Sequence, residues 1–360
     1  MSVTNRKFGE ITFLETLGLF GVVFALPFVQ ASRLLWKPFV LHDRVRTWRR
    51  VKGDAAAGFA TSRLNVHQIQ FVDGTTEKVY EKWALAAGVK ADKEGIEEGA
   101  QLLWVTPRKR KRVIVYFHGG GFVLSTPPFA ISFWKKVADI LQEKGEDVSL
   151  ALLEYTLIPT AQFPTPLKQS VACINHLLDS GYAAEDICLV GDSAGGNLIL
   201  QIFAHALHPV PGVPSLNFPS GSKIGRAIVI SPWVTLDGKS ESFTTNDSTD
   251  IFRRAFYDSL GSMVLPKADD PLRMYVEPSR APKDWYAGVD GLVSKVLITV
   301  GDAECLRDDI YEFSDVFCGV HSGAEVINIP GGTHNEPYGA FAAGEPTPGE
   351  WPNNIANWLA

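Results

Sequence analysis

The sequence predicts an α/β fold: a mostly parallel central sheet with helices on both faces. Two observations carry this. From about residue 65, short apolar runs of strand length alternate with segments of helical length. Those runs are apolar throughout rather than alternating, the pattern of strands buried on both faces. A length of 360 residues suits one large domain with insertions. At 46% hydrophobic and 21% charged residues, the chain can fill a sizeable core.

Taken in order, residues 66–72 (VHQIQFV) and 101–107 (QLLWVTP) read as strands pairing in an antiparallel hairpin with a long connection. Residues 112–117 (RVIVYF) form an apolar strand, followed by a helix over 133–141. Residues 148–155 are the next strand, with a helix over about 166–178. Residues 186–190 form a strand that feeds a helix over 194–207. Strands over 226–232, 294–300 and 324–330 complete the sheet. Helices over about 306–318 and 351–359 close the chain. Right-handed crossovers place the loops that follow the strands along one sheet edge, where ligands bind in such folds.

Two segments stand apart. Residues 1–64 form an N-terminal segment with a hydrophobic helix, and 65–360 the main domain. Residues 235–291 interrupt the core strands and carry Phe252, Phe256, Tyr257, Trp285 and Tyr286. A long aromatic-bearing insertion of this kind predicts a lid, against which residues before 65 would pack. Residues 11–31 (ITFLETLGLFGVVFALPFVQA) are long enough to span a bilayer, although Glu15 and Pro27 interrupt them. A membrane anchor, an interfacial helix and a helix packed on the protein's own cap compete here, and membrane association is the favoured reading. The basic flank, Arg33 to Lys52, would place the body on the cytosolic side.

The net charge of −6 argues against a nucleic-acid binder. The four cysteines form no C-x-x-C pair or zinc-spaced cluster, and Cys173 and Cys188 read as buried thiols. The basic run 108–112 (RKRKR) reads as a solvated loop.

The most specific stretch is 187–200 (ICLVGDSAGGNLIL). Gly191-Asp192-Ser193-Ala194-Gly195 is G-x-S-x-G between an apolar strand and a helix, the context of a nucleophile elbow. A serine hydroxyl needs a base to take its proton. Of eight histidines, His334 lies in a Gly-rich loop after the last strand, at the active edge. The acid must follow strand 294–300, where Asp302 and Glu304 both qualify and position does not separate them. Acyl transfer also needs donors for a developing oxyanion. The amide of Ala194 is one. The run His118-Gly119-Gly120-Gly121 supplies the other from Gly119 and Gly120, because amides without Cβ atoms approach a carbonyl closely. Gly121 then serves the turn, and His118 props the loop.

With HGGGF, GDSAGGN and SPW in place, the chain resembles the hormone-sensitive-lipase-like branch of α/β-hydrolase esterases over about residues 65–345. That family carries its acid in a D-P-L-R-D motif, matched here by Glu304-Cys305-Leu306-Arg307-Asp308. The resemblance therefore implies Glu304 as the acid, with Ser193 as nucleophile and His334 as base. It implies an α/β-hydrolase fold with a cap, hydrolysis of a hydrophobic small-molecule ester through an acyl-enzyme, and no cofactor. The same triad can serve acyl transfer, lactone opening or cyclisation in a biosynthetic pathway, and the sequence leaves that alternative open. The N-terminal helix is similar to the arrangement in arylacetamide-deacetylase and steryl-acetyl-hydrolase relatives. Those imply an endoplasmic-reticulum membrane location with a lumenal body, the opposite side from the charge rule.

Overall fold

The structure, a computed structural model, describes residues 6–108, 111–264 and 270–360. Lys109 and Arg110 of the basic run lie outside them. Its strands are β1 (Asp92–Gly95), β2 (Gln101–Trp104), β3 (Arg112–Phe117), β4 (Val148–Glu154), β5 (Ile187–Asp192), β6 (Ile224–Ile230), β7 (Val293–Gly301) and β8 (Ala324–Ile329). They form one sheet in the order β1-β2-β4-β3-β5-β6-β7-β8. The pairings from β4 through β8 are parallel, and β1–β2 and β2–β4 are antiparallel.

The apolar runs are explained by a core on each face. Successive side chains of a strand point to opposite faces, and β3 shows this directly. Val113, Val115 and Phe117 enter one core with helices Thr165–Asp179, Ala194–Leu207 and Arg307–Val320. Ile114 and Tyr116 enter the other with helices Thr76–Ala87, Pro128–Glu143 and Trp351–Leu359.

The strand expected over 66–72 is instead the helix Val66–Asp73. Asn65 caps it in a capping box with Gln68, and Gly74 ends it. Gln70 is buried because its amide donates to Val123 O at 2.8 Å and Ile158 O at 2.9 Å. The hairpin partner of β2 is β1, and the N-terminal helices continue to Ala87 before any strand begins.

Helix Phe13–Trp36 packs along helix Trp48–Arg63. Its inner stripe runs through Leu19, Val22, Leu26 and Val29, while Phe13, Leu14, Leu17, Phe20, Phe24 and Phe28 stay exposed. Its N-terminal end is tied to the main domain, and its C-terminal end to the short helix Leu41–Arg44 that follows it. Glu15 pairs with Arg6 at 2.7 Å and accepts from Asn65 at 2.7 Å, and Arg33 pairs with buried Asp43. Helix Trp48–Arg63 in turn meets the 235–291 insertion, with the Cβ position of Gly58 3.3 Å from Ile251 O.

Candidate active site

Strand β5 ends at Asp192 and the next helix starts at Ala194, so Ser193 alone makes the turn. Its φ of 50° and ψ of −116° form a strained conformation costing about 1–3 kcal/mol. The turn closes because its neighbours lack side chains. A Cβ at Gly195 would overlap Phe117 O, and one at Gly191 would sit 2.6 Å from the Gly195 carbonyl carbon. Ser193 N–H donates to Ile230 O at 2.9 Å, and Ser193 O accepts from Trp233 N–H at 3.0 Å.

Glu304 and His334 arrive from the loops after β7 and β8. Nδ1 of His334 lies 2.8 Å from Glu304 Oε2, with both side chains buried. The other carboxylate oxygen accepts from Gly301 N–H at 2.7 Å and from the Ser231 hydroxyl at 3.1 Å. Asp302 does not reach His334: it turns away, half-buried, and accepts from Gly331 N–H at 2.6 Å. Burial alone would push the imidazole toward neutrality, but the hydrogen bond and charge of Glu304, with Asp250 and Asp192 behind, leave the His334 pKa raised.

Ser193 and His334 line one cavity of about 310 Å³. No hydrogen bond joins their side chains in this resting state; such contacts often tighten only when substrate binds. Phe252, Phe256, Tyr257 and Leu260 of the insertion form an apolar wall, and Gly53 and Ala57 of the N-terminal helix lie in the lining as well. Trp285 and Tyr286, also expected in the lid, lie elsewhere. Trp285 stacks on His208 with ring centroids 3.9 Å apart, and Tyr286 packs on Phe313 and Phe317 in the core.

The glycine run lines the same cavity. Its first member departs from the expected role. Gly119 N–H donates to Asp192 Oδ1 at 3.2 Å, so that amide is already engaged. A Cβ there would overlap the Asp192 carboxylate. Gly120 and Gly121 adopt φ of 97° and 63°, which turns the chain back toward Leu124. Among the described residues, the amides of Gly120, Gly121 and Ala194 donate to no protein acceptor. His118 lies beneath the loop, with Nδ1 2.7 Å from Gly119 O, Nε2 3.1 Å from the Thr76 hydroxyl, and its ring stacked on Tyr155. Burial holds its imidazole down to about 4, so it stays neutral.

Two carboxylates that sequence reasoning passed over hold these parts together. Asp192 accepts from the hydroxyls of Tyr116 at 2.7 Å and Tyr338 at 3.3 Å, and from the Asn335 amide at 2.9 Å. Asp250, in the insertion, accepts from His334 N–H at 3.0 Å and Cys305 N–H at 2.8 Å. Burial pushes it up to about 6 despite these donors. Nothing in the sequence near Asp250 signals the role, because His334 and Cys305 lie far along the chain.

A family model described as an α/β-hydrolase fold matches residues 114–337, more than half of the chain. An acetyl-hydrolase of Streptomyces hygroscopicus is 29% identical over 217 residues, covering 57% of this chain and 62% of that protein. A versiconal hemiacetal acetate esterase of Emericella nidulans is 26% identical over 234 residues, covering 61% of this chain and 72% of that one. The chain thus spans about three-fifths of the first of these relatives. Among solved structures, an esterase from the bacterial hormone-sensitive lipase family superposes with a TM-score of 0.60 at 24% identity. That match covers 79% of this chain and 91% of the other, a likeness of fold. The chain belongs to the α/β-hydrolase fold family, and within it is similar to hormone-sensitive lipase, the human protein being 38% identical over 111 residues that cover 29% of this chain and 10% of that one.

Proposed function

We propose that the protein is a serine hydrolase of carboxylic esters of small, hydrophobic molecules. The observation that carries this is the buried Glu304–His334 pair, whose imidazole lines one largely apolar cavity together with the strained Ser193. Ser193 Oγ attacks the ester carbonyl while His334 Nε2 takes its proton. Glu304 holds the imidazole through Nδ1 and stabilises the cation that forms. The amides of Gly120, Gly121 and Ala194 receive the oxyanion. His334 then protonates the departing alkoxide. A water, deprotonated by the same histidine, hydrolyses the acyl-enzyme.

A cavity of about 310 Å³ is at the small end for ligand sites and fits a compact ester. The names of the two relatives, an acetyl-hydrolase and an acetate esterase, support a short acyl group. In the test, a fluorophosphonate probe should add one phosphonyl group to Ser193, located by peptide mass spectrometry. An unlabelled Ser193, or labelling elsewhere, would sink the serine mechanism.

The membrane reading takes a specific form. Helix Phe13–Trp36 exposes a row of phenylalanines and leucines, packs along helix Trp48–Arg63 and is bonded to Asn65 at its N-terminal end, so it lies flat in a lipid interface rather than across it. Lys37, Arg44, Arg49 and Lys52 flank it, each adding roughly 1 kcal/mol near an anionic surface. The protein should sediment with phosphatidylserine-containing vesicles. Phe20→Ser/Phe24→Ser/Phe28→Ser should stay in the supernatant while hydrolysing a water-soluble ester as before. Equal sedimentation of this variant would refute the assignment.

A further inference from the structure

The loop that carries His334 is gripped from the N-terminal segment, nearly 300 residues away in sequence. Arg50 on helix Trp48–Arg63 donates through Nη2 to the Thr333 hydroxyl at 2.9 Å and to Glu336 Oε2 at 2.9 Å. Its Nε donates to Asp54 Oδ1 at 2.8 Å. Arg46 adds a second hold, donating to Gly331 O at 2.7 Å, Glu336 Oε2 at 3.0 Å and Asp54 Oδ2 at 2.7 Å. Glu336 is bonded in turn to its own loop, accepting from Thr333 N–H at 2.9 Å and from the Thr333 hydroxyl at 3.0 Å.

At the centre of this cluster Arg50 and Thr333 have little contact with water, while Glu336 and Asp54 are half-buried. Arg50 is 8% exposed and Thr333 is fully buried. The Arg50–Glu336 pair has given up most of its hydration, and removing either partner takes away one of the two opposite charges that each side chain faces. The fold also makes room for the guanidinium. A Cβ at Gly339 would overlap it, so the chain at 339 must be bare for Arg50 to lie there. Thr333 and Glu336 bracket His334 in sequence. Whatever fixes these two fixes the backbone from which the imidazole projects.

We propose that Arg50, assisted by Arg46, is a positioning residue for His334, acting through Glu336 and Thr333, so that the N-terminal helix is part of the catalytic apparatus rather than an appendage. The inference rests on the serine-hydrolase reading. Arg50 touches neither the reacting atoms nor Glu304. Its contribution is to hold the base at the height and tilt needed to meet Ser193 Oγ, and a base displaced by about 1 Å can lose about 10²-fold in rate.

The test uses the full-length chain and p-nitrophenyl butyrate. Wild type, Ser193→Ala, Arg50→Ala, Glu336→Gln and the double variant Arg50→Ala/Glu336→Gln are compared for kcat and KM, with thermal melts alongside. Each single clamp variant should lose about 10–100-fold in kcat with KM nearly unchanged and a cooperative melt retained. The double variant should lose less than the product of the two single losses, because Arg50 and Glu336 are in direct contact and share the Thr333 hydroxyl. The inference is overturned if either single keeps wild-type kcat, if the effect lies in KM, or if the two losses multiply. Should Arg50→Ala not fold, Glu336→Gln and Arg50→Lys decide by the same criteria. Full kcat in the clamp variants beside an inactive Ser193→Ala sinks the clamp alone. Turnover surviving in Ser193→Ala sinks the serine reading and the clamp with it.

Discussion

Ser193→Ala is expected to lower ester turnover by about 10⁴-fold or more while the protein stays folded. The nucleophile cannot be replaced from its surroundings: Gly191, Ala194 and Gly195 of the elbow carry no reactive group, the Asp192 carboxylate is held by Tyr116, Tyr338 and Asn335, and the insertion's side of the cavity is aromatic and aliphatic. The stability side is equally specific. Ser193 holds a φ of 50° that costs energy for any residue with a Cβ, so alanine should leave the melting temperature close to wild type. Ser193→Gly should raise stability by about 1 kcal/mol by releasing that strain. Turnover of p-nitrophenyl esters and thermal melts on the three proteins check both claims. An alanine variant retaining a tenth of the wild-type rate would end the mechanism. A glycine variant that melts lower would show that the elbow is not strained.

The second large effect is at the acid. Glu304→Ala should cost about 10³–10⁴-fold in kcat, whereas Asp302→Ala should stay within a few-fold. Glu304 meets His334 Nδ1 at 2.8 Å, whereas the Asp302 carboxylate accepts from the Gly331 amide. The pH profile supplies an independent reading. Burial pulls the His334 pKa down, and Glu304 and the carboxylates behind it more than restore it, so it lies above the ordinary value near 6.5. The base works when neutral. The rate should therefore fall as pH drops through that raised pKa, with the midpoint of the acid limb above 6.5. In Glu304→Gln the raising charge is gone and burial prevails, so the limb should move to lower pH as the plateau drops. An unmoved limb, or a larger loss from Asp302→Ala, would reassign the acid.

The parallel core was legible because its strands are buried on both faces and therefore apolar throughout; β3 and the strand into Ser193 read directly as runs of Val, Ile and Leu. The edge strand β1 was not. β1 reads Asp-Lys-Glu-Gly, with alternate residues exposed, and has no hydrophobic pattern to find. The segment 66–73 misled because it mixes β-branched and polar residues at strand-like spacing. The deciding signal was local: Asn65 followed by Gln68, a capping box. Ser193, His334 and the pair Asp302 and Glu304 stood out because each follows a strand; the preference for Glu304 within that pair came from the family resemblance alone. The engagement of the Gly119 amide was not, since its acceptor lies across the sheet on Asp192. Arg50 and Asp250 were silent for the same reason. Their meaning lies in contacts of high sequence separation, and a single sequence carries no trace of those.

The contact of Asp250 with the amides of both His334 and Cys305 bears on modular exchange. Segments like 235–291 invite swapping between relatives to change which esters are accepted, as if the covering were independent of the machinery beneath. Here the covering supplies an acceptor that the base loop and the acid loop both use. A chimera that imported a foreign segment without a carboxylate at this place would leave two buried amides unpaired next to the catalytic pair. Its altered selectivity would then be read against a damaged engine. A productive graft would retain Asp250 and the turn that presents it, and begin its foreign sequence only beyond Ile251.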